Sequence, residues 1–311
     1  MGLVEAWGGN AVGWVLANLI EAFYNLFYAL SHPGLWLDWV TWAGTVEDKQ
    51  SIMRFIYYGA SVELFFVVLA LFLVVTICGL IWRNFMWRCV RIFEGFSNKV
   101  GRAAAWAGLL MVLQQIIIIF MQRVFTVSQL SFGFGISVTH DISWWAEELK
   151  LYNAIVVTLC LAYTFVQGGH VRVDLVYSGV SFRTKRIIDM VGCMIFMVPA
   201  AVLIWLYAWF FQWRHLIVPN TSASDQLERL MNKSRAMRWN VETIGFSPNG
   251  FNAYFLFKML LLMMTAMILL QAVTFFYRSY LELREGPESE GKYLDKDTLG
   301  DEQAELVAAI H

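Results

Sequence analysis

Charged residues are scarce in this sequence, at 15% of 311 positions, and the net charge of -1 leaves no excess of basic residues. Nucleic-acid binding is not expected, because it needs a basic patch or stripe. The four cysteines have no C-x-x-C spacing, which argues against disulfides, thiol redox chemistry and cysteine metal sites. No nucleophile elbow, phosphate-binding glycine loop or zinc-ligand spacing occurs. We therefore predict no enzymatic activity, no catalytic residue, no cofactor and no metal.

Apolar residues are abundant instead, at 59% of the chain with a mean hydropathy of +0.55. This composition is typical of polytopic membrane proteins. A spanning helix needs about 20 mostly apolar residues, and backbone in contact with lipid must bond to itself. Five stretches qualify: 55–82, 103–123, 147–167, 188–213 and 253–278. The predicted fold class is all-α, a polytopic membrane helix bundle of five transmembrane helices with one more helix at the N-terminus.

That N-terminal helix, over residues 11–30, has two possible placements. Asn18, Glu21 and Asn25 fall on one helical stripe with apolar residues elsewhere, so the helix either spans the bilayer or lies as an amphipathic helix at its surface. Glu21 near the middle of a span would be costly without a partner. The sequence leaves both placements open.

Lysine and arginine set the predicted orientation, because they are enriched in cytoplasmic connections. The basic connections are 83–102, with Arg83, Arg88, Arg91, Lys99 and Arg102, and 168–187, with Arg172, Arg183, Lys185 and Arg186. Segment 31–52 has only Lys49, and 124–146 has no lysine or arginine. The C-terminus is therefore predicted to be cytoplasmic. Residues 214–252 argue mildly against this, since they contain five basic residues and would be periplasmic.

The predicted domains follow the spans. Residues 1–101 form an N-terminal extension with the helix over 11–30 and the span over 55–82. Residues 102–284 form a domain of four spans. Residues 285–311 are acidic and interrupted by Gly286-Pro287, which predicts a mobile cytoplasmic tail.

Three motifs lie at the ends of these spans. The first is Trp145-Ala146-Glu147-Glu148-Leu149, at the start of the third predicted span. The second is Gly168-Gly169-His170-Val171-Arg172-Val173-Asp174, just after its end. The third, before the next span, is Ser181-Phe182-Arg183-Thr184-Lys185-Arg186-Ile187-Ile188-Asp189.

Over roughly residues 100–285, this order of motifs resembles the small membrane subunit of tripartite ATP-independent periplasmic (TRAP) transporters. The resemblance implies a small permease in the bacterial inner membrane. Its partners would be the lipid bilayer, a large multi-helix transport subunit and a periplasmic solute-binding protein. It also implies cation-coupled uptake (symport) of an organic acid-like solute, with the small subunit as a static scaffold.

The chain departs from the family pattern in two places. The family subunit typically has four spans, so the first hundred residues add at least one more. Lys258 stands where the last family helix is usually apolar. One alternative function is an accessory subunit of another membrane complex, in contact through the added N-terminal helix. Another is a membrane anchor of a quinone-linked oxidoreductase, which is disfavoured because every histidine lies at or outside the span ends.

The motif residues suggest specific contacts. Glu147 and Glu148 lie early in a helix, where carboxylates are favoured, and point about 100° apart. One of them is expected to face Arg123, because the family has an arginine at the matching place. Gly168 and Gly169 are expected to end the helix. The resemblance implies that His170, Arg172 and Asp174 contact the large subunit.

Four polar residues fall within the predicted spans: Glu63, Gln114, Gln115 and Lys258. Polar side chains in helix bundles commonly bond to neighbouring helices, so packing is favoured over a place in an ion path. Glu63 and Lys258 pair with each other in one version of this prediction. In the other, Lys258 extends toward water while Glu63 bonds to Gln114 or Gln115.

Overall fold

The structure is a computed structural model that describes residues 3–132, 138–168, 179–239, 251 and 253–296. The chain divides into two compact units, and each is described by itself. The first unit consists of Met1–Trp82 and Val202–Leu262. The second unit consists of Arg83–Ala201 and Met263–His311.

Helices dominate the described residues, with two short pairs of antiparallel strands. The helices are α1 (Leu3–Trp7), α2 (Ala11–Ser31), α3 (Gly34–Leu37), α4 (Val46–Tyr58), α5 (Val62–Ile81), α6 (Arg83–Arg123), α7 (Ile142–Gln167), α8 (Phe182–Gly192), α9 (Val198–Leu216), α10 (Leu227–Lys233) and α11 (Tyr254–Glu285). A π-helical turn, Cys193–Met197, joins α8 to α9. The strands are β1 (Gln129–Phe132) paired with β2 (Val138–Asp141), and β3 (Ile217–Val218) paired with β4 (Arg238–Trp239). Short 3-10 turns occupy Asp38–Thr41, Ser234–Ala236 and Pro287–Ser289.

Five helices among the described residues are long and apolar enough to cross a bilayer. They are Val62–Ile81, Arg83–Arg123, Ile142–Gln167, Phe182–Leu216 and Tyr254–Glu285. Each overlaps one of the five predicted spans. The prediction of an all-α polytopic membrane bundle is confirmed.

Helix α6 is much longer than the predicted span 103–123. Its 41 residues measure about 60 Å at 1.5 Å per residue, about twice the thickness of the hydrocarbon core. The predicted basic connection 83–102 is thus the first half of this helix. Its buried residues recur every three or four positions, at Met86, Val90, Glu94, Asn98 and Gly101, which is the period of a helix with one packed face.

In the first unit, α2 packs against α5, and the short helix α1 packs on α2. The backbone N–H of Val4 donates to the Glu21 carboxylate at 3.2 Å, so Glu21 has a hydrogen-bond donor. Helix α2 is not among the five candidate spans found in the described residues. Its placement therefore stays open between spanning and lying at the surface.

The larger core of the first unit joins α4 to α9. It contains the buried side chains Ile52, Met53, Ile56, Ala208, Trp209, Trp213, Ile217, Leu230 and Leu262. Thr45 begins α4 with a capping box, in which its side chain accepts from the Asp48 N–H and the Asp48 carboxylate accepts from the Thr45 N–H. This reciprocal bonding fixes the start of the helix whose apolar face enters the core.

In the second unit, α6 and α7 pack closely along their length. A Cβ added at Gly101 would lie 2.2 Å from Cβ of Tyr163, so the two helices approach each other where α6 has no side chain. The hairpin of β1 and β2 continues this packing through a cluster of Ile118, Leu130, Ile142, Trp145 and Leu149.

Candidate functional site

Trp145, from the first motif, is a packing residue in the structure. It is 7% exposed and lies in the core between α6, α7 and the hairpin. Its indole N–H donates to the carbonyl of Leu130 at 3.3 Å. The neighbouring Trp144 stacks on His140, with ring centroids 4.1 Å apart. Trp145 thus fixes the hairpin to the first turn of α7.

The carboxylates of this motif have partners other than Arg123. The side-chain amide of Gln114 donates to Glu148 at 2.9 Å, and Lys150 lies 3.9 Å from Glu147. Arg123 is exposed, and within the described residues no ion pair joins it to either glutamate. Gln114 therefore serves as an interhelical contact, with Glu148 as its partner.

Gly168 ends α7 in the left-handed conformation, at φ 76°, and its N–H bonds back to Phe165. Glycine adopts this conformation without a Cβ clash, so the predicted helix stop at Gly168 is confirmed. The remaining residues of the second motif, including Gly169, His170, Arg172 and Asp174, lie outside the described residues.

Glu63 and Lys258 both belong to the first unit and do not pair with each other in the part of the chain described. Glu63 lies in the first turn of α5, where its charge is favoured by the helix dipole. Lys258 lies over the ring of Tyr254, with its Nζ 5.2 Å from the centroid. Gln115 is exposed in the apolar part of α6.

Among the described residues of the second unit, a group of buried ion pairs joins three helices, and of its members the sequence motifs contained only Arg186 and Asp189. We define the charge cluster as Glu94 on α6, Arg186 and Asp189 on α8, and Arg278 and Glu282 on α11. Arg278 donates through Nε and Nη2 to the two oxygens of Glu94, both at 2.6 Å. Glu94 is 3% exposed and Arg278 is 7% exposed. This forked pair is the geometry in which arginine binds a carboxylate most strongly.

Glu282 lies between the two arginines of the charge cluster. Nη1 of Arg278 donates to Glu282 at 3.4 Å. Nε of Arg186 lies 2.8 Å from the other oxygen of Glu282, an ion pair whose angles are not those of an aligned hydrogen bond. Arg186 also reaches Asp189 at 3.4 Å. Arg186 further donates to Glu290, beyond the end of α11, at 2.6 Å. Two buried arginines thus face the three carboxylates of the charge cluster and Glu290, and α6, α8 and α11 are held together.

The segment after α11 folds back over the charge cluster. Gly286, at φ 94°, and Gly291, at φ 69°, allow the tight turns on either side of the 3-10 turn Pro287–Ser289. The Gly291 N–H donates to Glu282 at 3.2 Å, and the Lys292 carbonyl accepts from Arg278 at 3.0 Å. The segment therefore supplies backbone partners that complete the hydrogen bonding of the buried charges.

Asp295, near the end of this segment, contacts α6 and the last turn of α7. Its backbone carbonyl accepts from Asn98 at 2.8 Å and from Gln167 at 3.1 Å. Its carboxylate accepts from Arg102, with an N–O distance of 3.2 Å. The tail predicted to be mobile from residue 285 thus begins with a segment that packs on α6 and α7, and residues 297–311 lie outside the description.

Chemically, the charge cluster is suited to holding helices rather than to moving ions. Its carboxylates already face arginines, and a buried charge that loses its partner is strongly unfavourable. No group of three or more potential metal-ligating side chains occurs among the described residues. Sequence signals for the charge cluster do exist: Glu94 lies on the buried stripe of α6, and Arg278 and Glu282 are four residues apart on one helix face.

The comparison with protein families places part of this chain. Residues 136–234, under half of the chain, match the family model of the tripartite ATP-independent periplasmic transporters, DctQ component. The match includes all three motifs, with Arg186 and Asp189 of the charge cluster in the third, and the hairpin strand β2. No curated protein and no solved structure matches the chain. Residues 136–234 are therefore similar to the DctQ component of TRAP transporters, in a chain whose described residues include five helices long and apolar enough to cross a bilayer.

Proposed function

We propose that this chain is a static membrane scaffold that braces the large transport subunit of a TRAP transporter. The transporter would take up an organic acid-like solute, delivered by a periplasmic binding protein and driven by a cation gradient. The observation that supports this most is the DctQ match over residues 136–234. Solute and coupling ion would bind in the other subunits.

The charge cluster supports the scaffold role. A moving element needs an interface with two arrangements of similar free energy. Here α6, α8 and α11 are joined by buried arginine–carboxylate pairs at 2.6–3.4 Å. Any sliding of one helix past another would separate buried charges, which is unfavourable by several kcal/mol. The second unit is therefore suited to remain in one conformation during transport.

The proposed orientation places the C-terminus and the charge cluster at the cytoplasmic side of the inner membrane. The basic first half of α6 and the basic start of α8 support it. Alkaline phosphatase fused after His311 should be inactive, whereas a green fluorescent protein at the same place should fluoresce. The reverse result would contradict this orientation.

The first experiment on this function is co-purification. A tagged form of this chain, extracted in mild detergent, should bring with it a membrane protein of many helices. Reconstituted alone into vesicles, the chain should carry neither solute nor ions. Transport by the isolated chain would overturn the scaffold proposal.

The second experiment concerns the second motif. Replacing Arg172 or Asp174 with Ala should weaken association with the large subunit and reduce uptake, while solute capture by the binding protein stays unchanged. Arg88→Ala is a suitable control, because Arg88 is an exposed basic residue of α6 outside the matched region. Normal uptake by both motif variants would refute their assignment to the subunit interface.

A further inference from the structure

A cavity of about 470 Å³ lies within the first unit. It is bounded by the end of α4, the start of α5, the last turns of α9 and the segment that leads to α10. Its volume is within the usual range of ligand sites, about 300–1,000 Å³. None of its lining residues belongs to the three motifs, and the proposed scaffold role makes no use of it.

The wall of this cavity is aromatic and firmly fixed. Trp209 donates through its indole N–H to the carbonyl of Ile56 at 2.8 Å. Trp205 does not line the cavity but stacks on Trp209, with ring centroids 5.6 Å apart, and donates to Gly59 at 2.8 Å. Trp209 and Trp213 lie with their ring centroids 5.9 Å apart, and both line the cavity. Indole rings attract cations through their negative faces, so this wall favours a positively charged guest.

Two polar groups that line the cavity lack partners among the described residues. The Glu63 carboxylate has no cationic partner there, whereas the other lining carboxylate, Asp225, is paired with Lys233. Trp213 is only 8% exposed, and its buried indole N–H has no acceptor among the described residues. An unmade hydrogen bond at a buried donor is unfavourable by about 1–3 kcal/mol. The cavity therefore offers a negative charge beside aromatic rings, and one of its lining residues, Trp213, has a buried N–H without an acceptor.

The negative charge of Glu63 affects the neighbouring Tyr58. Burial raises the pKa of the nearby Tyr58 hydroxyl, and the Glu63 carboxylate raises that pKa further. Both effects disfavour a second negative charge beside Glu63. The Glu63 carboxylate therefore favours a cation at this place.

We infer that the cavity binds the headgroup of an amine-bearing zwitterionic phospholipid, phosphatidylethanolamine. The ammonium group pairs with Glu63 near the indole rings, and a phosphate oxygen accepts the N–H of Trp213. A lipid is favoured over a soluble ligand because the lining residues Val62 and Leu206 belong to candidate spans and are 48% and 40% exposed. Acyl chains would continue along that apolar surface. Phosphatidylglycerol has no ammonium group that could pair with Glu63.

The test is native mass spectrometry of the full-length protein, delipidated in detergent and titrated with single lipids. Phosphatidylethanolamine should bind at least about tenfold more tightly than phosphatidylglycerol, as expected for one hydrogen-bonded charge pair. Glu63→Gln should remove this preference. Glu47→Gln is the matched control, because Glu47 also lies in the first turn of a helix but does not line the cavity; it should keep the preference.

Trp213→Phe provides an independent test, since it removes only the N–H donor and keeps an aromatic ring. It should weaken both phospholipids by a similar factor, because both carry the phosphate. If the melting temperature of Glu63→Gln shows that this variant does not fold, Trp213→Phe still tests the inference. Unchanged binding by Trp213→Phe would contradict the phosphate contact.

Three results would overturn the inference. One is equal binding of the two phospholipids by the unaltered protein. Another is full competition by soluble phosphoethanolamine at equal concentration, which would identify a water-soluble ligand. A third is a Glu63→Gln variant that keeps the lipid preference but loses co-purification with the large subunit, which would show that Glu63 binds that subunit and not the lipid.

Discussion

Replacing Arg278 with Met should destabilise the protein by about 3–5 kcal/mol, the usual effect of removing one member of a buried ion pair. Arg278 makes two 2.6 Å bonds to Glu94 and one 3.4 Å bond to Glu282. Glu94 and Glu282 are only 3% and 1% exposed, so water cannot replace the lost donors. Glu94 would be left without its guanidinium, and Glu282 would keep Arg186 and the Gly291 N–H.

The assay is equilibrium unfolding of the purified protein in mixed micelles titrated with sodium dodecyl sulfate, followed by circular dichroism. Arg102→Met is the matched control, because Arg102 pairs with Asp295 at 3.2 Å where the side chains are 42% and 55% exposed. Removing such an exposed pair should change the free energy of unfolding by no more than about 1 kcal/mol.

A double variant separates pairing from packing. Glu94→Leu with Arg278→Met removes both charges, so it should be less destabilised than the sum of the two single variants by at least about 1 kcal/mol. If Arg278→Met is no more destabilised than Arg102→Met, or the two single effects simply add, the charge cluster does not hold the three helices together.

Two further predictions concern packing and pH. Gly101→Ala should destabilise the protein by about 1–3 kcal/mol, because the new methyl group would lie 2.2 Å from Cβ of Tyr163. Gly95→Ala in the same helix is the control: a Cβ there has no atom within 4 Å, so this variant should be neutral or slightly stabilising. Equal melting temperatures of the two variants would contradict the close approach of α6 and α7. Burial raises the pKa of the Asp225 carboxyl, but the hydrogen bonds from Lys233 and the Ser222 N–H and the charge of Lys233 outweigh burial and lower it below its ordinary value. This pairing therefore stabilises the folded state above the unfolded pKa of about 3.9, and the stabilisation is lost as pH falls through the lower folded pKa. Asp225→Asn should be less stable than the unaltered protein at pH 7 and equally stable at the acid end of a pH series. A stability difference that stays constant with pH would refute this prediction.

The spans were predictable because hydropathy is a local property. Each apolar run of about 20 residues had to be a helix, whatever it packed against. The same counting placed the start of α6 near residue 103, because Glu94 and Asn98 interrupt the apolar pattern. Their helical spacing with Met86 and Val90 was present in the sequence. Burial of the Glu94 carboxylate could not be predicted from this spacing, because it depends on a partner elsewhere in the chain.

That partner is 184 residues away in the sequence, and this separation explains why the charge cluster was not predicted. The rule that places basic residues in the cytoplasm accounts for Arg186 as a solvated residue, yet the structure buries it. The pairing of Gln114 with Glu148 was missed for a similar reason, since Arg123 offered an opposite charge nearby in sequence. The roles of His170, Arg172 and Asp174 stay predictions, because these residues lie outside the structural description.

The forked pair between residue 94 and residue 278 also sets an order of events during synthesis. Glu94 leaves the ribosome long before Arg278, and the backbone groups at Gly291 and Lys292 that complete the bonding follow later still. Until Arg278 has been synthesised, burial of Glu94 would leave its charge without this partner, which is strongly unfavourable. A polypeptide that stops before residue 278 would lack that guanidinium altogether.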